Sequence, residues 1–77
     1  MNDFIFFSLA INISLRIRRV DQNGKYKIKF TTNIFFKKKK FEIIFNTKKQ
    51  RDQIFENYNL KQAKTTIELY LEHQGEA

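Results

Sequence analysis

Two stretches of strict alternation separated by a turn signal dominate this chain. Leu9, Ile11, Ile13, Leu15 and Ile17 alternate with Ala10, Asn12, Ser14, Arg16 and Arg18. Further along, Tyr26, Ile28, Phe30, Thr32, Ile34 and Phe36 alternate with Lys25, Lys27, Lys29, Thr31, Asn33 and Phe35. A period of two is the signature of a strand with one buried face and one wet face. Leu9 to Val20 and Lys25 to Phe36 are therefore expected to form two long strands, unless Thr32-Asn33 breaks the second. Between them Asp21-Gln22-Asn23-Gly24 supplies turn chemistry, because Asn-Gly readily takes the positive φ values of a tight hairpin.

A two-residue turn at Asn23-Gly24 pairs Gln22 with Lys25, and hence Ile17 with Phe30, Ile13 with Ile34 and Ile11 with Phe36. Apolar then meets apolar on one face. On the other, Arg18 stands opposite Lys29 and Val20 opposite Lys27, with Arg16 diagonal to Lys29. A four-residue turn would instead set Arg18 against Lys27 and Arg16 against Lys29. Either register crowds cations, which costs a few tenths to about 1 kcal/mol per opposed pair. A phosphate backbone would relieve that repulsion more completely than salt or the length of lysine side chains.

Lys37, Lys38, Lys39 and Lys40 are expected to form the next turn, since four consecutive lysines repel one another in a paired strand. Phe41, Ile43 and Phe45 read as a third strand, with Glu42 and Ile44 on its other face; the apolar Ile44 suits a central strand or one covered on both sides. Thr47-Lys48-Lys49-Gln50 fits a capping box, with the Thr47 hydroxyl accepting from the Gln50 N–H and the Gln50 side chain reaching back. The helix it opens should run from Lys48 to about Tyr58 with a narrow apolar stripe, Ile54, Phe55 and Tyr58. Lys48, Lys49 and Arg51 lie against its positive end, a placement that function can impose over local stability. In the tail, Thr65, Ile67, Leu69 and Leu71 read as a strand, whereas Leu60, Ala63, Ile67 and Leu71 read as a helix face; the helix is favoured, with Gly75 as its stop. The expected fold is α+β: a small antiparallel three-stranded sheet with a long N-terminal hairpin, packed against one helix, plus a C-terminal helix or strand.

Seventy-seven residues make one domain, and a chain this short buries only about 60% of the surface its unfolded form exposes. One core of that size supplies roughly 3–5 kcal/mol. With no cysteine and one histidine there is neither a disulfide nor a zinc cluster to reinforce it, so a homodimer is an available source of stability. His73 reads as a surface residue. The apolar run Phe4 to Ile11 has Asp3 where a secretory signal carries positive charge, and no small-residue cleavage site follows. It is also shorter than the roughly 20 residues that span a bilayer. A soluble, cytoplasmic protein is expected.

Nothing in the chain assembles into catalytic machinery. There are no paired carboxylates in an apolar setting and no metal-ligand spacing; the serines lack a neighbouring histidine, and two glycines rule out a phosphate loop or dinucleotide motif. The expectation is a protein that is not an enzyme and uses no cofactor.

The net charge is +7. Phe, Ile, Lys and Asn make up 37 of 77 residues, as AT-rich codons favour, so lysine content alone says little. Placement says more: residues 16 to 51 carry a net +11, residues 1 to 15 sum to −1 and residues 52 to 77 to −3. One sign concentrated on part of a small domain is the electrostatic footprint of a polyanion site. The candidate nucleic-acid contacts are Arg16, Arg18, Lys25, Lys27 and Lys29 on the strand face, Lys37 to Lys40, and Lys48, with DNA favoured over RNA. A face of Lys and Arg would favour duplex phosphates, whereas aromatic residues among them would point to single strands through base stacking.

The succession Gly24-Lys25-Tyr26-Lys27-Ile28, then Lys37 to Lys40, then Phe45-Asn46-Thr47-Lys48-Lys49 opening a helix resembles the arm-type DNA-binding domain of tyrosine integrases, a three-stranded sheet backed by one helix. The resemblance covers about residues 15 to 58. It implies a sheet that enters the major groove and assigns Arg16, Arg18, Lys25, Lys27 and Lys29 to DNA contact. Leu9 to Ile13 lengthen the first strand beyond that pattern, Gln50-Arg51 replace the usual Glu-Ala, and no recombinase domain follows, so recombination is not implied. Two rival readings belong to other classes. One is a small phage- or plasmid-type interaction module that binds an acidic partner protein, with Phe35, Phe4 and Phe6 as anchors. The other is an anionic-lipid binder, since a sheet followed by a C-terminal helix is similar to the end of a pleckstrin-homology domain; a complete domain of that kind needs more strands than this chain holds.

Overall fold

Four strands follow one another as an antiparallel meander in the order β1-β2-β3-β4: β1 Phe4–Ala10, β2 Ile13–Gln22, β3 Lys25–Ile34 and β4 Lys37–Phe45. Two helices, α1 Lys48–Glu56 and α2 Leu60–Gln74, close the chain. These are the features of a computed structural model, which describes residues 3–74. The α+β class expected from the sequence holds, with four strands and two helices in place of three and one. Gly75, the expected helix stop, lies outside the described residues.

The two long alternating segments do pair as the Asn-Gly turn requires. Gln22 faces Lys25, Ile17 faces Phe30, Ile13 faces Ile34, and Arg18 and Val20 face Lys29 and Lys27. Asn23 and Gly24 carry φ values of 55° and 72°, the left-handed conformation that Asn-Gly accepts at least cost. The expected first strand is nonetheless two strands. Leu9 and Ala10 end β1, Ile11 and Asn12 turn, and β2 starts at Ile13. Alternation could not reveal this break: a two-residue turn by itself swaps odd and even positions between the faces, but the register shift between Ser8 and Ala10 swaps them back, so Ile5, Phe7 and Leu9 share a face with Ile13, Leu15 and Ile17 and the pattern reads on unbroken. The register shift between Ser8 and Ala10 then re-aims the chain into the turn.

The second correction concerns Phe35, Phe36 and the lysine run. Phe35 and Phe36 are the turn, at φ 49° and 70°, and Lys37–Lys40 open β4. Ile11 and Phe36 therefore do not pair; the two turns are joined instead by the Phe35 N–H, which donates to the Asn12 carbonyl at 2.8 Å. Four lysines are tolerated in a strand because their β3 partners, Ile34, Asn33, Thr32 and Thr31, are all uncharged. β4 is moreover an edge strand, where lysine blunts unwanted pairing with other chains. Ile44, half exposed, is thus neither central nor covered.

The helices pack on one face of the sheet. Leu15 and Ile17 of β2, Ile28 and Phe30 of β3, Phe55 of α1, and Ala63 and Ile67 of α2 form the buried core. Ile5, Phe7 and Leu9 of β1 and Phe41 and Phe45 of β4 pack around it. Phe30 stacks on Phe41 at 4.8 Å between centroids, and Phe41 on Tyr70 of α2 at 6.0 Å, so an aromatic ladder ties β3 and β4 to the second helix. The molecule is 18 Å along its shortest axis, one sheet and one helix layer thick. The opposite face of the sheet is bare.

The caps differ from expectation in one respect. The Thr47 hydroxyl accepts from the Gln50 N–H at 3.1 Å, the first half of the expected box. The complete reciprocal box forms at α2: Asn59 Oδ1 accepts from the Gln62 N–H at 3.0 Å and Gln62 Oε1 from the Asn59 N–H at 2.9 Å. With α1 ended by Asn57, this second start settles the ambiguous tail as helix. Its apolar positions Ala63 and Ile67 are buried, whereas Leu60 and Leu71 remain about half exposed.

Candidate nucleic-acid interface

Directly paired residues of an antiparallel sheet project to the same face, so the register converts the sequence into rows across the bare face. One row runs Phe6, Arg16, Thr31, Lys40; the next runs Phe4, Arg18, Lys29, Glu42. Flanking them are Ser8, Ser14, Asn33, Lys38 on one side and Val20, Lys27, Ile44 on the other. Lys25 stands beyond, opposite Gln22. A depression of about 370 Å³ lies along the two central rows, bordered by Arg16, Arg18, Lys29, Thr31, Lys40 and Glu42.

Of the residues proposed from the sequence, Arg16, Arg18, Lys25, Lys27, Lys29, Lys38 and Lys40 come together on this face. Glu42 is the only carboxylate sharing it among the described residues, and it accepts from Lys27 Nζ at 3.2 Å. Lys37 and Lys39, one position out of phase, project toward the helix side, where both line a groove with Ile13, Thr32 and Tyr70. Lys48 is also removed from the sheet face. It sits at the start of α1 beside Asp52 and Glu56, and its charge helps hold Asp52 ionised.

The acids that balance the rest of the molecule gather behind the sheet. Arg51, 2% exposed, donates Nη1 to the Val20 carbonyl at 2.9 Å and to Asp21, and Nε to Asp52 at 2.9 Å. Its guanidinium lies over the Tyr26 ring at 5.5 Å. Arg19 reaches Asp3 and Asp52 at 3.4 Å and Glu56 at 3.7 Å, and lies 4.9 Å from the centre of the Phe55 ring. Burial opposes the charge on Asp52, but the hydrogen bond and field of Arg51, with Arg19 and Lys48, outweigh it and hold its pKa below the usual carboxylate value. Burial likewise works against Arg51, and hydrogen bonds to Asp21 and Asp52 more than offset it. Arg51, expected to be an unfavourable exposed charge, is thus the buried link between α1 and the end of the first hairpin. On the same side, burial raises the Tyr58 pKa, partly offset by its hydrogen bond with the Thr66 hydroxyl.

Phe4 and Phe6, expected as aromatic anchors for a protein partner, do belong to the basic face; what sequence reasoning missed is the strand β1 that carries them. Both are more than half exposed, and each is paired with an arginine of β2. Their signal was present in the alternation of Phe4, Phe6 and Ser8 with Ile5, Phe7 and Leu9, hidden because both sets are largely apolar. Among the described residues no group of His, Cys, Asp and Glu is placed to hold a metal ion, and no helix is long and apolar enough to cross a membrane. The fold and face together define a small α+β domain with an uncovered basic, aromatic-edged antiparallel sheet. No family model, curated protein or solved structure matches the chain.

Proposed function

We propose that this protein is a non-enzymatic nucleic-acid-binding domain that holds its ligand against the uncovered face of the sheet, with Arg16, Arg18, Lys29 and Lys40 at the centre of the contact and Lys25, Lys27 and Lys38 around it. The observation that carries the reading is the segregation of charge by face. Among the described residues seven cations share the bare side with Glu42, while Asp21, Asp52 and Glu56 lie with Arg19 and Arg51 on the other. Arg18 directly opposite Lys29 is unfavourable in the free protein, and phosphates would turn that repulsion into attraction. Arginine supplies a planar fork suited to phosphate oxygens, and lysine a mobile point charge.

The test is fluorescence-anisotropy binding of the full chain to labelled DNA across a salt series. The expected result is a linear fall of log K with log salt, at a slope of about −0.7 per phosphate contacted for single strands and −0.9 for duplex, and loss of binding in R18E/K29E. No binding at low salt would refute the reading. The second reading, a module that binds an acidic protein partner, is favoured by Phe35 and Phe36, exposed by 63% and 85% on a turn. It predicts capture of a protein partner in a pull-down that F35S/F36S abolishes.

A further inference from the structure

We infer that the ligand of this face is a single-stranded nucleic acid, two of whose bases stack on Phe4 and Phe6; the inference rests on the nucleic-acid reading above. The two rings are 55% and 60% exposed at positions where the strand needs no apolar side chain, since Ile5, Phe7 and Leu9 already supply the contacts of β1 with the core. Ser8 continues the same exposed series with a small polar residue. Each ring stands directly across from an arginine, Phe6 from Arg16 and Phe4 from Arg18, so a base platform and a phosphate fork are adjacent twice over.

Spacing separates a single strand from a duplex. Residues two apart on one strand stand roughly 6.8 Å apart, about twice the 3.4 Å rise between stacked bases of a duplex strand. Neighbouring bases can meet both rings only when the strand is drawn out and unstacked, the state in which aromatic platforms bind it. A duplex buries its base faces and would leave the rings unused. The face, about 14 Å between its outer strand axes, is also wider than the roughly 12 Å major groove that takes a two-stranded ribbon. Because rings read the flat faces of bases, sequence preference should be weak.

The experiment compares binding of the full chain to a short oligothymidylate, an oligouridylate, a duplex of equal length, and an abasic strand with the same number of phosphates. The expected result is that strands bearing bases bind at least about fivefold more tightly than the abasic strand, and that F4A and F6A each weaken them by a similar factor or more without weakening the abasic strand or changing the salt slope. F6Y should bind like the parent. Preference for thymidylate or uridylate would identify the sugar recognised, and either supports the inference. Equal binding of base-bearing and abasic strands, or tighter binding of duplex unchanged in F4A/F6A, would overturn it and leave the nucleic-acid reading standing. Failure of every strand to bind at low salt would overturn both.

Discussion

Arg51 shows how one side chain can join a helix to a sheet it does not belong to. Its guanidinium is enclosed by the Val20 carbonyl, Asp21, Asp52 and the Tyr26 ring. Truncation would remove a donor from the Val20 carbonyl, from Asp21 and from Asp52, which keeps Arg19 at 3.4 Å, and removing a charged hydrogen-bond partner costs about 1.5–3 kcal/mol per bond before solvent rescue. Asp21 is largely exposed and recovers water, so R51A should destabilise the domain by about 2–3 kcal/mol in urea unfolding. Asp52 makes the same cluster acid-sensitive. Its folded pKa lies below the unfolded value of about 3.9, so its contribution is complete above that value and disappears as pH falls through the folded one. Melting temperatures taken from pH 7 down to pH 2 should fall on the acid side, and D52N should be less stable at neutral pH with a flatter acid limb.

At the level of elements, turns and caps decide where the chain changes direction. Phe35 and Phe36 occupy the left-handed region, which costs about 1–2 kcal/mol for a residue with a Cβ. The first long hairpin solves the same problem with Asn23-Gly24. F35N/F36G should therefore stabilise the protein by about 1–2 kcal/mol in urea unfolding, and a loss of stability would show that the rings support the fold. Asn59 closes a reciprocal box, so N59A should cost about 1–2 kcal/mol, more than T47A, which loses a single capping bond. These elements also show what could be read from residues alone. The β2–β3 hairpin was legible as a pair of strands, with its register among the two considered, because Asn23-Gly24 announces itself and both flanking faces alternate; its outer ends, and the pairing of Ile11 with Phe36, were not. The Ile11-Asn12 and Phe35-Phe36 turns were not: the register shift in β1 keeps the alternation running through Ile11-Asn12, and at Phe35-Phe36 two apolar residues followed by four lysines hide the change of parity between β3 and β4. The strand-face cations of the candidate site were legible for the reason β2 and β3 were. Lys38 and Lys40 could be separated from Lys37 and Lys39 only once β4 was known to be a strand.

Over the whole molecule, charge is sorted by face. The bare sheet carries Arg18, Lys29 and their neighbours with Glu42, while the helix side holds the network around Arg19 and Arg51. Repulsion on the exposed face is screened by salt, with a Debye length falling from about 10 Å at 0.1 M to about 3 Å at 1 M, whereas the more buried pairs are screened much less. Raising sodium chloride over that range should raise the melting temperature, and R18Q/K29Q should start higher and gain less. A fall with salt would mean that the surface ion pairs outweigh the repulsion.

The meander also sets the order in which the molecule can be made. Each strand pairs with its neighbour in sequence across a two-residue turn, so contacts are local for a sheet protein and folding should be fast for its strand content. Synthesis delivers the whole sheet before either helix. For that interval Leu15, Ile17, Ile28 and Phe30 face water with nothing to cover them, until Phe55, Ala63 and Ile67 emerge and dock. The lysines of β4 then guard the edge of a nascent sheet whose apolar side is still open, discouraging a second unfinished chain from adding to it.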